Sequence, residues 1–223
     1  MGDTVYGYDA QHNFFSMDES FQRTILGTTG LEMGPMTEID VDFLDIRGMA
    51  YDAANDRLLV LGAVCVEQYG WVEEYIGSTI IYEVNLENGN LTAVRALDFE
   101  SDTAGMLANI RGLAVDGEGN VFVYSAYDDY FSQINMETGE YTHKCSLQSL
   151  GIYASYEHNM PMAYDAATGL VYCLFTGDGF SHNLLTFNPM TAQVKNLGEV
   201  GEVVYNADMD LDEGPTFAAL LIK

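Results

Sequence analysis

Three stretches of this chain are versions of one phrase: Ile46-Arg47-Gly48-Met49-Ala50-Tyr51-Asp52-Ala53-Ala54, then Ile110-Arg111-Gly112-Leu113-Ala114-Val115-Asp116, then Met160-Pro161-Met162-Ala163-Tyr164-Asp165-Ala166-Ala167. A recurring phrase means one supersecondary unit per copy, so the repeat fixes the architecture before any catalytic motif is sought. Aligned on Met49, Leu113 and Met162, with an echo at Met209-Asp210-Leu211-Asp212, the copies are spaced by 64, 49 and 47 residues. A propeller blade takes roughly 40 to 50 residues.

Each copy reads as four strands. A short apolar strand A meets an Asp-rich turn (Asp52 to Arg57, Asp116 to Asn120, Asp165 to Gly169). Strand B follows as Leu58-Leu59-Val60-Leu61, Val121-Phe122-Val123-Tyr124 or Leu170 to Phe175. Such apolar runs bounded by Gly, Asp and Asn suit strands buried on both faces. Strand C (Thr79 to Val84, Tyr130 to Ile134, Asn183 to Phe187) runs into an Asn-led turn at Asn85, Asn135 or Asn188, and strand D closes the copy. Asn and Gly tolerate the left-handed backbone that tight hairpins demand. Of only eight Lys and Arg, Arg95, Lys144 and Lys195 fall in the D strands, and Arg23 takes the same place in an N-terminal partial copy. A charge on an outer strand discourages edge-to-edge pairing.

The expected fold is therefore all-β: a single β-propeller domain over residues 1–223, with a partial blade at 4–27 and repeats at about 45–98, 109–150 and 159–198. Terminal strands at 203–223 would complete a fourth blade beside the N-terminal B-C-D strands; the alternative is an arc excised from a larger propeller. No central helix is expected. The chain opens on Thr4-Val5-Tyr6-Gly7-Tyr8, which matches a B strand, so it reads as a piece of a longer parent.

The Ala163-Tyr164-Asp165-Ala166-Ala167-Thr168-Gly169-Leu170-Val171-Tyr172 run, with Asn-x-x-Thr-Gly turns such as Asn135 to Gly139, resembles the YVTN and NHL-like β-propellers common in bacterial surface and secreted proteins. The resemblance covers most of the chain and implies a recognition scaffold, extracellular or on the cell surface in the parent. Regucalcin-like lactonases share the broad architecture, but their metal-binding Glu, Asn and Asp set finds no matching positions here.

Charge narrows the partners. With 34 Asp and Glu the formal charge is −26, a field that repels nucleic acid and anionic lipid and draws basic partners. No apolar run reaches the roughly 18 residues of a membrane span, so no membrane insertion is expected and the chain reads as soluble. Cys65, Cys145 and Cys173 lack CxxC spacing and read by default as buried free thiols, with one bridge left open, and the scattered His and Cys offer no zinc pairing. No GxSxG, P-loop or HExxH occurs.

In an antiparallel meander the A–B and C–D turns share a plain rim, while the B–C and D–A connections share the opposite one, where binding residues concentrate. The longest B–C insertion, Val64 to Ser78, holds Tyr69, the single tryptophan Trp71, Glu73, Glu74 and Tyr75. Aromatic faces beside carboxylates suit a sugar ring or a cationic group. The same rim takes Tyr127, Asp128, Asp129 and Tyr130, then Asp178, Phe180 and His182, and from the D–A connections Tyr153, Tyr156 and His158. Arg47 and Arg111 open two innermost strands, to hold a ligand carboxylate or phosphate at the axial mouth or to pair with Asp45 and tie blades together. Asp208 to Gly214 starts like an EF-hand, but Ala219 stands where the bidentate Glu belongs. No cofactor is expected, with calcium at the acidic turns the one candidate left open.

The expected function is a non-catalytic binding module for a carbohydrate or a protein partner, a basic one by charge. Its alternative is a propeller enzyme, such as a metal-dependent lactonase or a glycan hydrolase or lyase.

Overall fold

The computed structural model describes residues 4–9, 11–31, 40–68, 71–74, 79–97, 110–126, 129–151, 160–176 and 181–202, with the backbone alone for 40–43, 64–68, 71–74, 149, 176, 181 and 201–202. These residues form four antiparallel sheets arranged as the blades of a β-propeller. The N-terminal sheet has three strands in order, β1 (Val5–Tyr8), β2 (Asn13–Met17) and β3 (Arg23–Thr28). The first full blade runs β4 (Asp40–Asp52), β5 (Arg57–Gln68), β7 (Thr79–Val84) and β8 (Leu91–Ala96), with β6 (Trp71–Glu74) paired to β5. The second is β9 (Ile110–Val115), β10 (Val121–Ser125), β11 (Tyr130–Ile134) and β12 (Tyr141–Ser146); the third is β13 (Met162–Asp165), β14 (Leu170–Thr176), β15 (Ser181–Asn188) and β16 (Gln193–Glu202). Among the described residues the one helical element is a 3-10 turn, η1 (Leu147–Leu150), capped by the Ser146 hydroxyl. Residues 203–223, the expected closing strands, lie outside the described residues.

Three apolar cores lie between sheets. Phe14 of the N-terminal sheet packs with Val60 and Tyr82 of the first blade, Leu61 and Ile81 pack with Leu113 and Val123, and Phe122 and Phe131 pack with Cys173 and Phe187. The Phe131 and Phe187 rings stack at 4.8 Å. Every strand residue of β9 and β10 is buried, because this blade is covered on both faces. That explains why its B strand carries no polar alternation.

The inner strands meet near the axis, β4 against β9 and β9 against β13. The Gly of the repeated phrase permits this approach. A Cβ on Gly48 would stand 2.9 Å from the Leu113 amide nitrogen, and one on Gly112 would stand 2.5 Å from the Met160 carbonyl oxygen. The Met160 amide also donates to the Arg111 carbonyl at 2.7 Å, a main-chain bond between blades.

Two features depart from the sequence reading. The insertion at Val64 to Ser78 was expected as a loop, yet β5 continues to Gln68 and β6 returns along it, with Gln68 opposite Trp71 and Val66 opposite Glu74. β-Branched Val64 and Val66 extend the strand, which β4 matches back to Asp40. Edge protection is also more than a matter of charge. Every outer strand carries a bulge, skipping Leu26 in β3, Val94 in β8, Lys144 in β12, and both Leu197 and Val200 in β16. A bulge interrupts the ladder and twists an exposed edge away from pairing.

Candidate functional site

On the plain rim the Asp side chains are consumed by their own turns. Asp116 accepts from the Glu118 and Asn120 amides and from Asn120 Nδ2, each at 2.9 Å. Asp52, wholly buried, accepts Asn55 Nδ2 at 2.8 Å and pairs with Arg57 at 2.9 Å. Asp165 accepts the Ala167 amide at 3.0 Å and the Thr168 hydroxyl at 2.7 Å, bonds that hold its carboxyl below the ordinary range. Among the described residues no group of three His, Cys, Asp or Glu side chains is placed to hold a metal ion.

The axial mouth is built around Asp45. Its Oδ2 takes Arg47 Nε at 2.7 Å and lies 3.7 Å from Arg111 Nη1, so one carboxylate joins the inner strands of two blades. Arg47 is fully buried and Arg111 is 7% exposed. A guanidinium wrapped in this way acts as a clasp between β4 and β9, the second of the two roles foreseen for it. The third blade has Met160 at this place, buried in the apolar core, so the clasp joins only the first two full blades.

The remaining rim candidates divide by position. Asp129 sits where β11 begins, in left-handed backbone (φ 59°), and is 8% exposed. Its carboxylate accepts the Tyr124 hydroxyl at 2.9 Å and its carbonyl accepts the Leu147 amide at 3.0 Å. It is a buried brace of the rim. His182 was expected in a loop but is a residue of β15, opposite Thr176 and Gly201. Trp71 and Glu73 are residues of β6. Tyr69, Tyr75, Tyr127, Asp128, His158 and Asp178, with Phe180, Tyr153 and Tyr156, lie outside the described residues.

Sequence reasoning missed a polar contact on the second blade. Ser132 Oγ and His143 Nδ1 are 3.0 Å apart, and the His143 ring lies 4.3 Å from that of Tyr130 and 5.0 Å from that of Tyr141. The pair lies between the turn and the bulge at Lys144, in register with Ile134 opposite Tyr141, so counting residues back from the turn is the signal that would have found it. Burial pushes the Cys145 thiol up to about 12, and burial, then the neighbouring Cys145, raises that of Cys173.

No protein-family profile matches the chain, and no curated protein matches it. Solved structures do. A chain of a nidogen/laminin complex superposes with a TM-score of 0.52 at 12% identity, covering 88% of this chain and 61% of that one. A Bacteroides thetaiotaomicron protein of unknown function gives 0.54 at 14% identity, covering 88% and 41%. A GH43 protein from Bacillus licheniformis gives 0.57 at 13% identity, covering 94% and 42%. The chain thus spans between 41% and 61% of these similar structures. At such identities the likeness is one of fold, and the fold is the β-propeller.

Proposed function

We propose that this chain is a non-catalytic recognition module of a bacterial surface or secreted parent, whose second rim takes a carbohydrate or a basic protein segment. The observation that carries this reading is the unequal growth of the blades. β4 and β5 have 13 and 12 residues where β9 and β10 have 6 and 5, and all but one residue of the extra length in each strand lies at the rim opposite the Asp turns. The second blade packs without that length; in the first, Leu44 of the extension joins the core and Asp45 joins the clasp. The extension presents β6 with the single tryptophan and two glutamates, a composition suited to a sugar face or a cationic side chain. The likeness to a GH43 protein bears on fold alone and transfers no catalytic residue.

Because Trp71 is the only tryptophan, its fluorescence reports on this hairpin and nothing else. Titration with a panel of neutral glycans and basic peptides should give a saturable change with at least one member, abolished by Trp71→Phe in a matched binding assay. A flat response across the panel would count decisively against the rim as a binding site.

A further inference from the structure

Positive charge is scarce in this chain, and all five arginines are engaged. Arg23 pairs with Asp9, Arg47 and Arg111 with Asp45, and Arg57 with Asp52 and Glu83. Arg95 donates to the Met136 carbonyl at 2.9 Å. The two described lysines are different: neither Lys144 nor Lys195 makes an ion pair with a described residue. They stand on β12 and β16, the adjacent outer strands of the second and third blades.

Between those strands lies a cleft of about 310 Å³ lined by Cys145, Ser146, Ala192, Gln193, Val194 and Lys195. Its floor is apolar, since Val194 and Cys145 pack against the core shared by the two blades. Among the described residues its polar lining comprises an ammonium, a primary amide and a hydroxyl, with no carboxylate. The volume is at the lower end of the range used for small molecules. At physiological salt the Debye length is about 8 Å, so carboxylates farther than that from the cleft are screened while Lys195 acts at contact range.

We propose that this interblade cleft binds a carboxylate-bearing small molecule of monosaccharide size, with Lys195 as counter-ion, Gln193 as hydrogen-bond donor, and Val194 and Cys145 as the apolar floor. The site stands apart from the rim and does not depend on its role.

The test is an amide-resolved NMR titration of the whole chain with glucuronate, using glucose as the uncharged comparator. Glucuronate should shift the amides of residues 145–146 and 193–195 saturably, with a dissociation constant on the order of 1 mM, as expected for one charged contact in a small cleft. Glucose should not. Lys195→Gln, at an exposed position, should weaken binding roughly tenfold, the usual worth of a charged hydrogen bond. Lys144→Gln should weaken it less, and Trp71→Ala should leave the shifts intact. Absence of saturable shifts, equal response to glucose, full affinity in Lys195→Gln, or shifts centred on Trp71 would each overturn the assignment.

Discussion

The two rims of this propeller use carboxylates in opposite ways. On the plain rim Asp52, Asp116 and Asp165 fold back onto the amides and side chains of their own turns, so each acid serves one blade. At the axial mouth Asp45 reaches the guanidiniums of two inner strands, so one acid serves two blades. The first use makes a turn and the second makes an assembly. Acidity as such is therefore no guide to function here, and position in the blade is.

The largest effect should come from breaking the clasp. Arg47→Ala removes a fully buried guanidinium and leaves a void, and a loss of about 3 kcal/mol is expected, at the low end for a broken buried pair because Arg111 still faces Asp45. Arg47→Met copies the third blade, refills the volume and should lose about 1 kcal/mol. Urea midpoints of both variants decide the matter; equal losses would mean that charge, not packing, dominates.

A smaller effect is expected on the plain rim. Asp116→Ala strips three hydrogen bonds from a buried carboxylate and should cost about 2 kcal/mol. Asp165→Ala, in the exposed turn of the third blade, should cost less than Asp116→Ala in the same measurement. A reversed order would contradict the link between burial and turn strength.

The smallest effect sharpens the contrast, because Asp9 is a plain-rim type of acid placed in the β1–β2 turn on the other rim. Burial works to raise its carboxyl, yet hydrogen bonds from Asn13, Arg23 and the Gln11 amide outweigh this and bring it down to about 2. A carboxyl depressed in the fold stabilises above its unfolded value near 4, and that contribution is lost as pH falls from about 4 towards 2. Stability measured at pH 5 and at pH 3 should drop less in Asp9→Asn than in the parent chain.

Much of the fold was legible because period and polarity agreed. The phrase around Met49, Leu113 and Met162 marks inner strands, and Arg23, Arg95, Lys144 and Lys195 all fall in outer strands. The bulges were not legible, since skipping Val94 or Lys144 alters no composition and appears only when two strands are set side by side. The hairpin at β6 was hidden for a related reason: its aromatic and acidic residues read as surface loop, while its pairing is a property of the backbone. At the site, Asp45 as partner of Arg47 was within reach of the sequence because they are two residues apart on one face. Its approach to Arg111 joins positions 66 apart and follows from blade packing alone.

The cores of this protein lie between sheets and not within them, and that has a mechanical consequence. A sheet that shares both walls with its neighbours, as β9 to β12 does, cannot loosen without exposing apolar surface on two other blades. Fluctuations must start where walls are unshared, at the bulged outer edges, and advance inward. The axis, tied by the main-chain bond from Met160 to Arg111, is then the last part of the molecule to yield.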